Sequence, residues 1–168
     1  MVSGSKKKVL VAGATGYIGK AVVAELLDKG YFVYAIVRKE KRLEYSDQSN
    51  LKVLSLETGE NSDWTKQLPR IDIIVSCLAS RSGCERDANF VDYSLNSDLL
   101  YFALKIELQH FILLSAICIQ KPKLAFQRAN LRFNSELVAS GLRYSIVLPT
   151  AFFKSLSGQV NRIKNGKS

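Results

Sequence analysis

The feature that most constrains the fold is a glycine-rich turn near the N-terminus, between an apolar run and an amphipathic segment. The apolar run Lys8–Ala12 leads directly into Gly13, and Gly16 and Gly19 follow at three-residue spacing. A strand, a GxxGxxG turn and a helix in this order are typical of dinucleotide-binding folds. There the first glycine allows a tight turn, the second lets the backbone approach a pyrophosphate, and the third lets the helix pack close to the sheet. We therefore expect cofactor contacts from Gly13, Thr15, Gly16, Tyr17, Ile18 and Gly19.

The rest of the chain alternates strand-like and helix-like segments. Apolar, β-branched runs predict further strands at 32–37, 51–56, 71–77, 111–115 and 144–148. Apolar residues at helical spacing predict helices from Ile18 to the stop at Gly30, over 90–105, over 127–140 and over 152–164. Nearly continuous apolar strands separated by helices indicate a parallel sheet covered on both faces. The predicted fold class is therefore α/β, a doubly wound Rossmann sheet with strand order 3-2-1-4-5-6.

Composition excludes several other classes of protein. The chain has 168 residues, of which 47% are hydrophobic and 23% charged, so one folded domain is expected and a disordered chain is not. No apolar run approaches the roughly 18–20 residues of a membrane span. Three cysteines without CxxC spacing predict reduced thiols, with neither disulfides nor a metal site. Since no targeting signal is recognisable, we expect the protein to stay in the cytoplasm, or in the plastid stroma if it is plastid-encoded or processed.

The net charge of +9 is concentrated in the last third of the chain. Residues 121–168 contain nine basic residues and a single acid, Glu136. Such a segment fits either a nucleic acid or a small anionic cofactor. No nucleic-acid recognition motif appears, and the glycine turn favours the phosphate-rich cofactor.

The end of the second predicted strand indicates which dinucleotide is bound. NAD-binding sites place Asp or Glu there, on the ribose hydroxyls, whereas this strand ends in Val37, Arg38 and Lys39. A guanidinium pairs with a phosphate through two parallel hydrogen bonds, so Arg38 favours the 2′-phosphate of NADPH. The alternative is that Arg38 is a solvated strand end. We expect residues 1–7 to form a flexible N-terminus and 8–168 to form an NADP-binding domain.

Three further segments follow the ends of predicted strands and are expected to line the cofactor crevice. These are 77–81, 115–118 and 149–154. Cofactors bind at the carboxyl edge of such sheets, and the small residues Ala79 and Ser80 would let a nicotinamide ribose approach. The only histidine, His110, precedes the fifth strand and is expected at the opposite edge, so it is not a candidate catalytic base.

Two other patterns are interpreted as coincidental. Tyr101 and Lys105 match the Tyr-x-x-x-Lys proton relay of short-chain dehydrogenases, but they end the helix before the fifth strand, at the amino edge of the sheet. The terminal Gly166-Lys167-Ser168 resembles a P-loop, but Asn161 stands where that loop needs a glycine.

Four segments together resemble a known family: VLVAGATGYIGK, VSCLASRSG, HFILLSAICIQKPKLAFQR and YSIVLPTAFFKSLSGQV. They are similar to the divinyl chlorophyllide a 8-vinyl reductases of chlorophyll biosynthesis, which are atypical short-chain dehydrogenases/reductases. The resemblance implies NADPH-dependent reduction of the 8-vinyl group of a divinyl (proto)chlorophyllide, a tetrapyrrole, to ethyl. It implies that the three glycines bind pyrophosphate and that Arg38 binds the 2′-phosphate. It also implies a place about the nicotinamide for Ser115, Pro149, Thr150 and Phe153.

The chain departs from that family in two respects. Asn130 ends the segment Phe126–Asn130, where the family resembles Phe-Gln-Arg-Ala-Lys. Family members also continue well past the Phe-Phe-Lys-Ser segment into a substrate-binding region. We therefore expect this chain to be the cofactor-binding part of the reductase, with its catalytic residues unidentified. The alternative is a non-catalytic NADP-binding module or sensor of the same atypical type.

Overall fold

Six parallel strands form one sheet in the order β3-β2-β1-β4-β5-β6. The computed structural model describes residues 6–37, 48–55, 64–150 and 152. This strand order is the predicted one, and it makes β1 and β4 neighbours at the centre of the sheet. The strands are β1 (Lys8–Ala12), β2 (Phe32–Val37), β3 (Leu51–Ser55), β4 (Ile73–Ser76), β5 (His110–Leu114) and β6 (Tyr144–Val147).

Helices connect the strands and cover both faces of the sheet. The helical segments are α1 (Tyr17–Asp28), a 3-10 turn (Trp64–Gln67), α2 (Glu85–Ala88), a π-helical segment (Asn89–Ser94), α3 (Leu95–Lys105) and α4 (Ala125–Ala139). The segments from α2 to α3 follow one another with helical backbone at both junctions, so they form one rod. Gly30 ends α1 in the left-handed region at φ +79°, as the sequence predicts.

The bounds of several elements differ from the prediction. The strand predicted over 71–77 is shorter at both ends, and β5 begins one residue early, at His110. The second helical rod begins at Glu85 and not at residue 90, because the Cys84 side chain accepts a hydrogen bond from the Asp87 amide at its N-terminus. Leu56, most of the polar stretch 39–50 and most of the predicted helix 152–164 lie outside the described residues.

Two apolar layers sandwich the sheet. On one side Val9 and Val11 of β1 pack with Val23 of α1. On the other side Leu10 packs with a layer that includes Leu99 of α3. Successive residues of a strand point to opposite faces, so one short strand serves both layers. The strand order runs outward from β1 to β3 and then continues with β4 on the other side of β1. In open α/β sheets, ligands bind at the carboxyl edge where the order reverses in this way.

Candidate functional site

The glycine turn is packed so tightly that side chains at two of its positions would collide with backbone. A Cβ at Gly13 would lie 2.4 Å from the carbonyl oxygen of Cys77, which follows β4, and Gly13 has φ +75°. A Cβ at Gly19 would lie 2.1 Å from the carbonyl oxygen of Gly13. Gly13 therefore joins β1 to the end of β4, and Gly19 brings α1 against the turn.

The N-terminus of α1 has the features of an anion-binding helix end. Gly16 caps the helix without a side-chain hydrogen bond, and the first turn contains no acidic residue. The Gly16 amide donates to the Gly13 carbonyl at 2.9 Å, which closes the turn. Amides of a first helical turn lack intrahelical acceptors and attract negative charge. Residues Thr15, Gly16, Tyr17 and Ile18 form this end of the helix, so the chain's own backbone fits a pyrophosphate there.

The loop after β4 is held on the helical rod by two carboxylates. The amides of Arg81 and Ser82 donate to Asp87 Oδ2 at 2.9 and 3.0 Å. The amide of Ser80 donates to Asp92 Oδ1 at 3.1 Å. Ala79 is exposed and Ser80 is half-buried. The loop thus presents the small residues Ala79 and Ser80 on a backbone whose amides point toward the helical rod.

Asp92 belongs to a buried polar set beneath that loop. The residue is only 3% exposed, and its backbone carbonyl accepts a hydrogen bond from Asn96 Nδ2 at 3.0 Å. Asn96 Oδ1 in turn accepts from Ser76 Oγ, on the last residue of β4, at 2.6 Å. Within the described residues, Asp92 Oδ2 is buried without a hydrogen-bond partner. Burial raises the pKa of Asp92, and the hydrogen bonds from Ser80 oppose this increase.

The end of β5 carries a second buried polar set, around Ser115. Asn134 Nδ2 donates to Ser115 Oγ at 3.2 Å, and Ser115 Oγ lies 3.5 Å from Asn130 Oδ1. Asn130 Nδ2 donates to the Phe126 carbonyl at 2.9 Å, one turn earlier in α4. Asn130, which stands where the family resemblance implies a lysine, is therefore a buried neutral amide. It donates to a carbonyl of its own helix and faces Ser115.

The segment after β6 reaches both sides of the crevice. The Ile117 amide donates to the Pro149 carbonyl at 3.1 Å, which continues the pairing of β5 with β6 beyond the sheet. Thr150 is exposed, and the Phe152 ring meets the Tyr17 ring edge-on with centroids 6.3 Å apart. The structure thus brings the chain after β6 to the start of α1, beside the glycine turn.

The structure places most of the predicted site residues at this one edge, and two others lie outside the described residues. The first group consists of Gly13, Thr15, Gly16, Tyr17, Ile18, Gly19, Ala79, Ser80, Ser115, Pro149 and Thr150. The two outside the described residues are Arg38 and Phe153. The terminal Gly166-Lys167-Ser168 also lies outside them. Their contributions stay predictions.

The residues interpreted as remote from the site do lie at the far edge. Tyr101 and Lys105 occupy the last turn of α3, where Lys105 Nζ lies 4.1 Å from the centroid of the exposed Tyr101 ring. His110 begins β5, and its Nε2 atom lies 2.9 Å from Ser145 Oγ. Both features are at the amino edge of the sheet, opposite the glycine turn.

Sequence reasoning missed the polar residues beneath the crevice. Asp92 and Asn96 lie one position beyond Val91 and Leu95, which the helical spacing assigned to the apolar stripe. In the structure Asp92, Leu95 and Asn96 are buried whereas Val91 is only half-buried. The available signal was an acid and an amide four residues apart beside an apolar stripe, a spacing that places them on one helix face.

The cysteines differ in environment, and all three are free thiols. Cys77, beside Gly13, is buried, and burial raises its pKa to about 11. Cys84 is exposed, and hydrogen bonds from the Ser82 hydroxyl and the Asp87 amide lower its pKa.

Within the described part of the chain, no group of three metal-binding side chains occurs and no helix is long and apolar enough to cross a membrane.

A doubly wound parallel sheet with a glycine turn at the change of sides defines the class of Rossmann domains that bind nucleotides. The site combines a helix N-terminus that has no side-chain cap with a closely packed glycine turn, two features of dinucleotide-binding sites. The chain belongs to the NAD(P)H-binding family, whose sequence model matches residues 13–168.

Several known proteins are similar to most of this chain, but they are longer than it is. The chain is 43% identical to the chloroplastic divinyl chlorophyllide a 8-vinyl-reductase of Cucumis sativus, over 95% of this chain and 42% of that protein. It is 27% identical to the photosystem II assembly factor Ycf39 of Cyanophora paradoxa, over 90% of this chain and 47% of that protein. The crystal structure of the Bordetella bronchiseptica enzyme WbmH with NAD+ matches with a TM-score of 0.74 at 18% identity, over 97% of this chain and 64% of that one, and shows the fold alone. The chain therefore spans less than half the length of these two curated relatives.

Proposed function

We propose that this chain is the NADPH-binding part of a reductase that converts the 8-vinyl group of a divinyl (proto)chlorophyllide to ethyl. The observation that carries the proposal is 43% identity to a curated 8-vinyl-reductase over 95% of the chain. The glycine turn and the loops after β4, β5 and β6 support it, because they meet at one edge. The relative is named chloroplastic, which supports the plastid stroma over the cytoplasm as the place of this function.

The chain's own residues would bind and orient the cofactor. The backbone of the glycine turn and the start of α1 would hold the pyrophosphate, and Ala79 and Ser80 would let the nicotinamide ribose approach. When bound, NADPH would supply the hydride for the vinyl group, and the reduction to ethyl also takes up one proton. Ser115 is held by Asn134 beneath this position. Its hydroxyl would help to orient the nicotinamide end, as would Pro149, Thr150 and Phe153.

Cofactor preference provides the first test. We expect NADPH to bind more tightly than NADH, and Arg38→Ala to remove most of that preference. Loss of a charge-assisted phosphate contact costs about 1.5–3 kcal/mol, roughly a tenfold to hundredfold loss of affinity for NADPH alone. Lys39→Ala is the control, because Lys39 is expected to face solvent. Equal affinity of the unmodified chain for both cofactors would contradict the NADPH assignment.

Turnover provides the second test. The absorbance shift of divinyl chlorophyllide on reduction is measured for the 168 residues alone and for a fusion with the remaining length of the Cucumis sativus relative. We expect both forms to bind NADPH and only the fusion to show substantial turnover. Hydride transfer requires the vinyl carbon to lie about 3–3.5 Å from the nicotinamide with water excluded, and the added length would cover the substrate. NADPH binding without turnover in either form would favour the alternative, a non-catalytic NADP-binding module. The observation on its side is the 27% identity to Ycf39, which is named as an assembly factor and not as a reductase.

A further inference from the structure

Asp92 is the most deeply buried acidic side chain beneath the candidate cofactor site in the described part of the chain. It lies in the π-helical segment of the rod and is 3% exposed. A buried carboxyl is costly unless its hydrogen bonds offset the loss of water. Single turns of π-helix are rare and occur often at functional sites. The position of Asp92 therefore requires an explanation beyond the stability of the helix.

Hydrogen bonds connect Asp92 to β4 and to the loop that follows it. Its carboxyl oxygen Oδ1 accepts from the Ser80 amide at 3.1 Å, which fixes the loop. Its carbonyl accepts from Asn96, whose side chain accepts from the Ser76 hydroxyl at 2.6 Å. One turn of the rod thus holds both the last residue of β4 and the loop residue four positions further on.

We propose that Asp92 is a positioning residue for the nicotinamide half of the dinucleotide, acting through the Ser80 amide on the loop after β4. This inference rests on the proposed NADPH-binding function. We expect the glycine turn to bind the pyrophosphate without help from Asp92, because the hydrogen bonds of Asp92 go to Ser80 and Asn96 and not to the turn. A substitution at Asp92 should therefore weaken the binding of ligands that reach the β4 loop and leave the affinity of shorter ligands unchanged.

Two substitutions separate positioning from general stability. Asp92→Leu has nearly the same shape but accepts no hydrogen bond, so it should fold and lose the grip on Ser80. Asp92→Asn keeps an oxygen acceptor for the Ser80 amide, and the amide nitrogen would replace Oδ2, which has no partner among the described residues. The matched control is Asp98→Ala in α3, because Asp98 accepts from the buried Trp64 Nε1 at 2.9 Å and lies further along the same rod.

The experiment measures the Kd of NADPH and of adenosine 2′,5′-bisphosphate, which lacks the nicotinamide half, together with the Tm of each variant. We expect Asp92→Leu to raise the NADPH Kd about tenfold and leave the bisphosphate Kd within about twofold, in line with the loss of one hydrogen bond. Asp92→Asn should restore NADPH affinity, and Asp98→Ala should lower Tm without changing either Kd. Unchanged NADPH affinity in Asp92→Leu, or equal losses for both ligands, would overturn the inference while leaving the proposed function intact. Failure of the unmodified chain to bind NADPH would overturn both.

Discussion

The glycine turn and the β4–β5 edge lie side by side, but different kinds of interaction build them. The glycine turn is made of backbone: Gly13 and Gly19 approach carbonyl oxygens so closely that no side chain fits. The β4–β5 edge is made of buried polar side chains, with Asp92 beneath the β4 loop and Asn134 beneath Ser115. The first region tolerates almost no change of shape, whereas the second depends on whether each buried donor and acceptor keeps a partner. Substitutions can therefore break the two regions in distinguishable ways.

The largest effect is expected at Gly13. Gly13→Ala combines a left-handed backbone with a Cβ 2.4 Å from the Cys77 carbonyl, so β1 and β4 must move apart. We expect a loss of about 3–5 kcal/mol in the free energy of unfolding, or failure to fold. Gly141→Ala is the matched control, because Gly141 has φ +76° but open space around its Cα, and should cost only about 1–2 kcal/mol. Equal losses in urea denaturation would show that the close approach to Cys77 has no energetic consequence.

Ser115→Ala tests the polar region by removing one acceptor. Asn134 Nδ2 would lose its partner, and Asn134 Oδ1 is already without one among the described residues. We expect a loss of about 1–3 kcal/mol, partly recovered by adding Asn134→Leu, since this removes the unpaired Asn134 amide and leaves only Asn130 Oδ1 without its 3.5 Å contact to Ser115. Ser135→Ala serves as control because the exposed Ser135 hydroxyl bonds only within its helix. If Ser115→Ala were as mild as Ser135→Ala, the set around Ser115 would be energetically unimportant.

Asp92 gives the polar region a pH dependence that the glycine turn lacks. Burial raises its pKa in the folded state above the unfolded value of about 3.9, so the neutral form is favoured by folding. Its contribution to stability is complete below the unfolded pKa and is lost as the pH rises through the folded pKa. Asp92→Asn stays neutral, so unfolding measured from pH 4 to 7 should show the variant gaining stability relative to the unmodified chain as pH rises. A constant difference across that range would contradict the raised pKa.

The smallest effects are expected at the far edge of the sheet. Tyr101→Phe and Lys105→Ala alter an exposed pair at the end of α3, so NADPH affinity should stay within about twofold and stability within about 0.5 kcal/mol. Isothermal titration and thermal unfolding check both values. Weaker NADPH binding at unchanged Tm would show that the Tyr-x-x-x-Lys pattern contributes to the site, against the topology described above.

The sequence by itself determined the fold class, the strand order and the glycine turn. Those features depend on local patterns: apolar runs, helical spacing, and glycine where the backbone turns, as at Gly13 and Gly30. For the same reason β1 and β2 have the predicted bounds, and most predicted site residues meet at one edge.

Only the tertiary structure decided which polar residues lie beneath that edge. Asp92 and Asn96 fall beside an apolar stripe, and their burial depends on how the π-helical segment turns the rod against β4. The rod begins at Glu85 because the Cys84 side chain caps it. The contact of the neutral Asn130 side chain with Ser115 depends on how α4 packs beside β5. Such contacts join residues far apart in the chain, so no local pattern specifies them. A buried donor or acceptor is satisfied only by the partner that the folded chain brings to it.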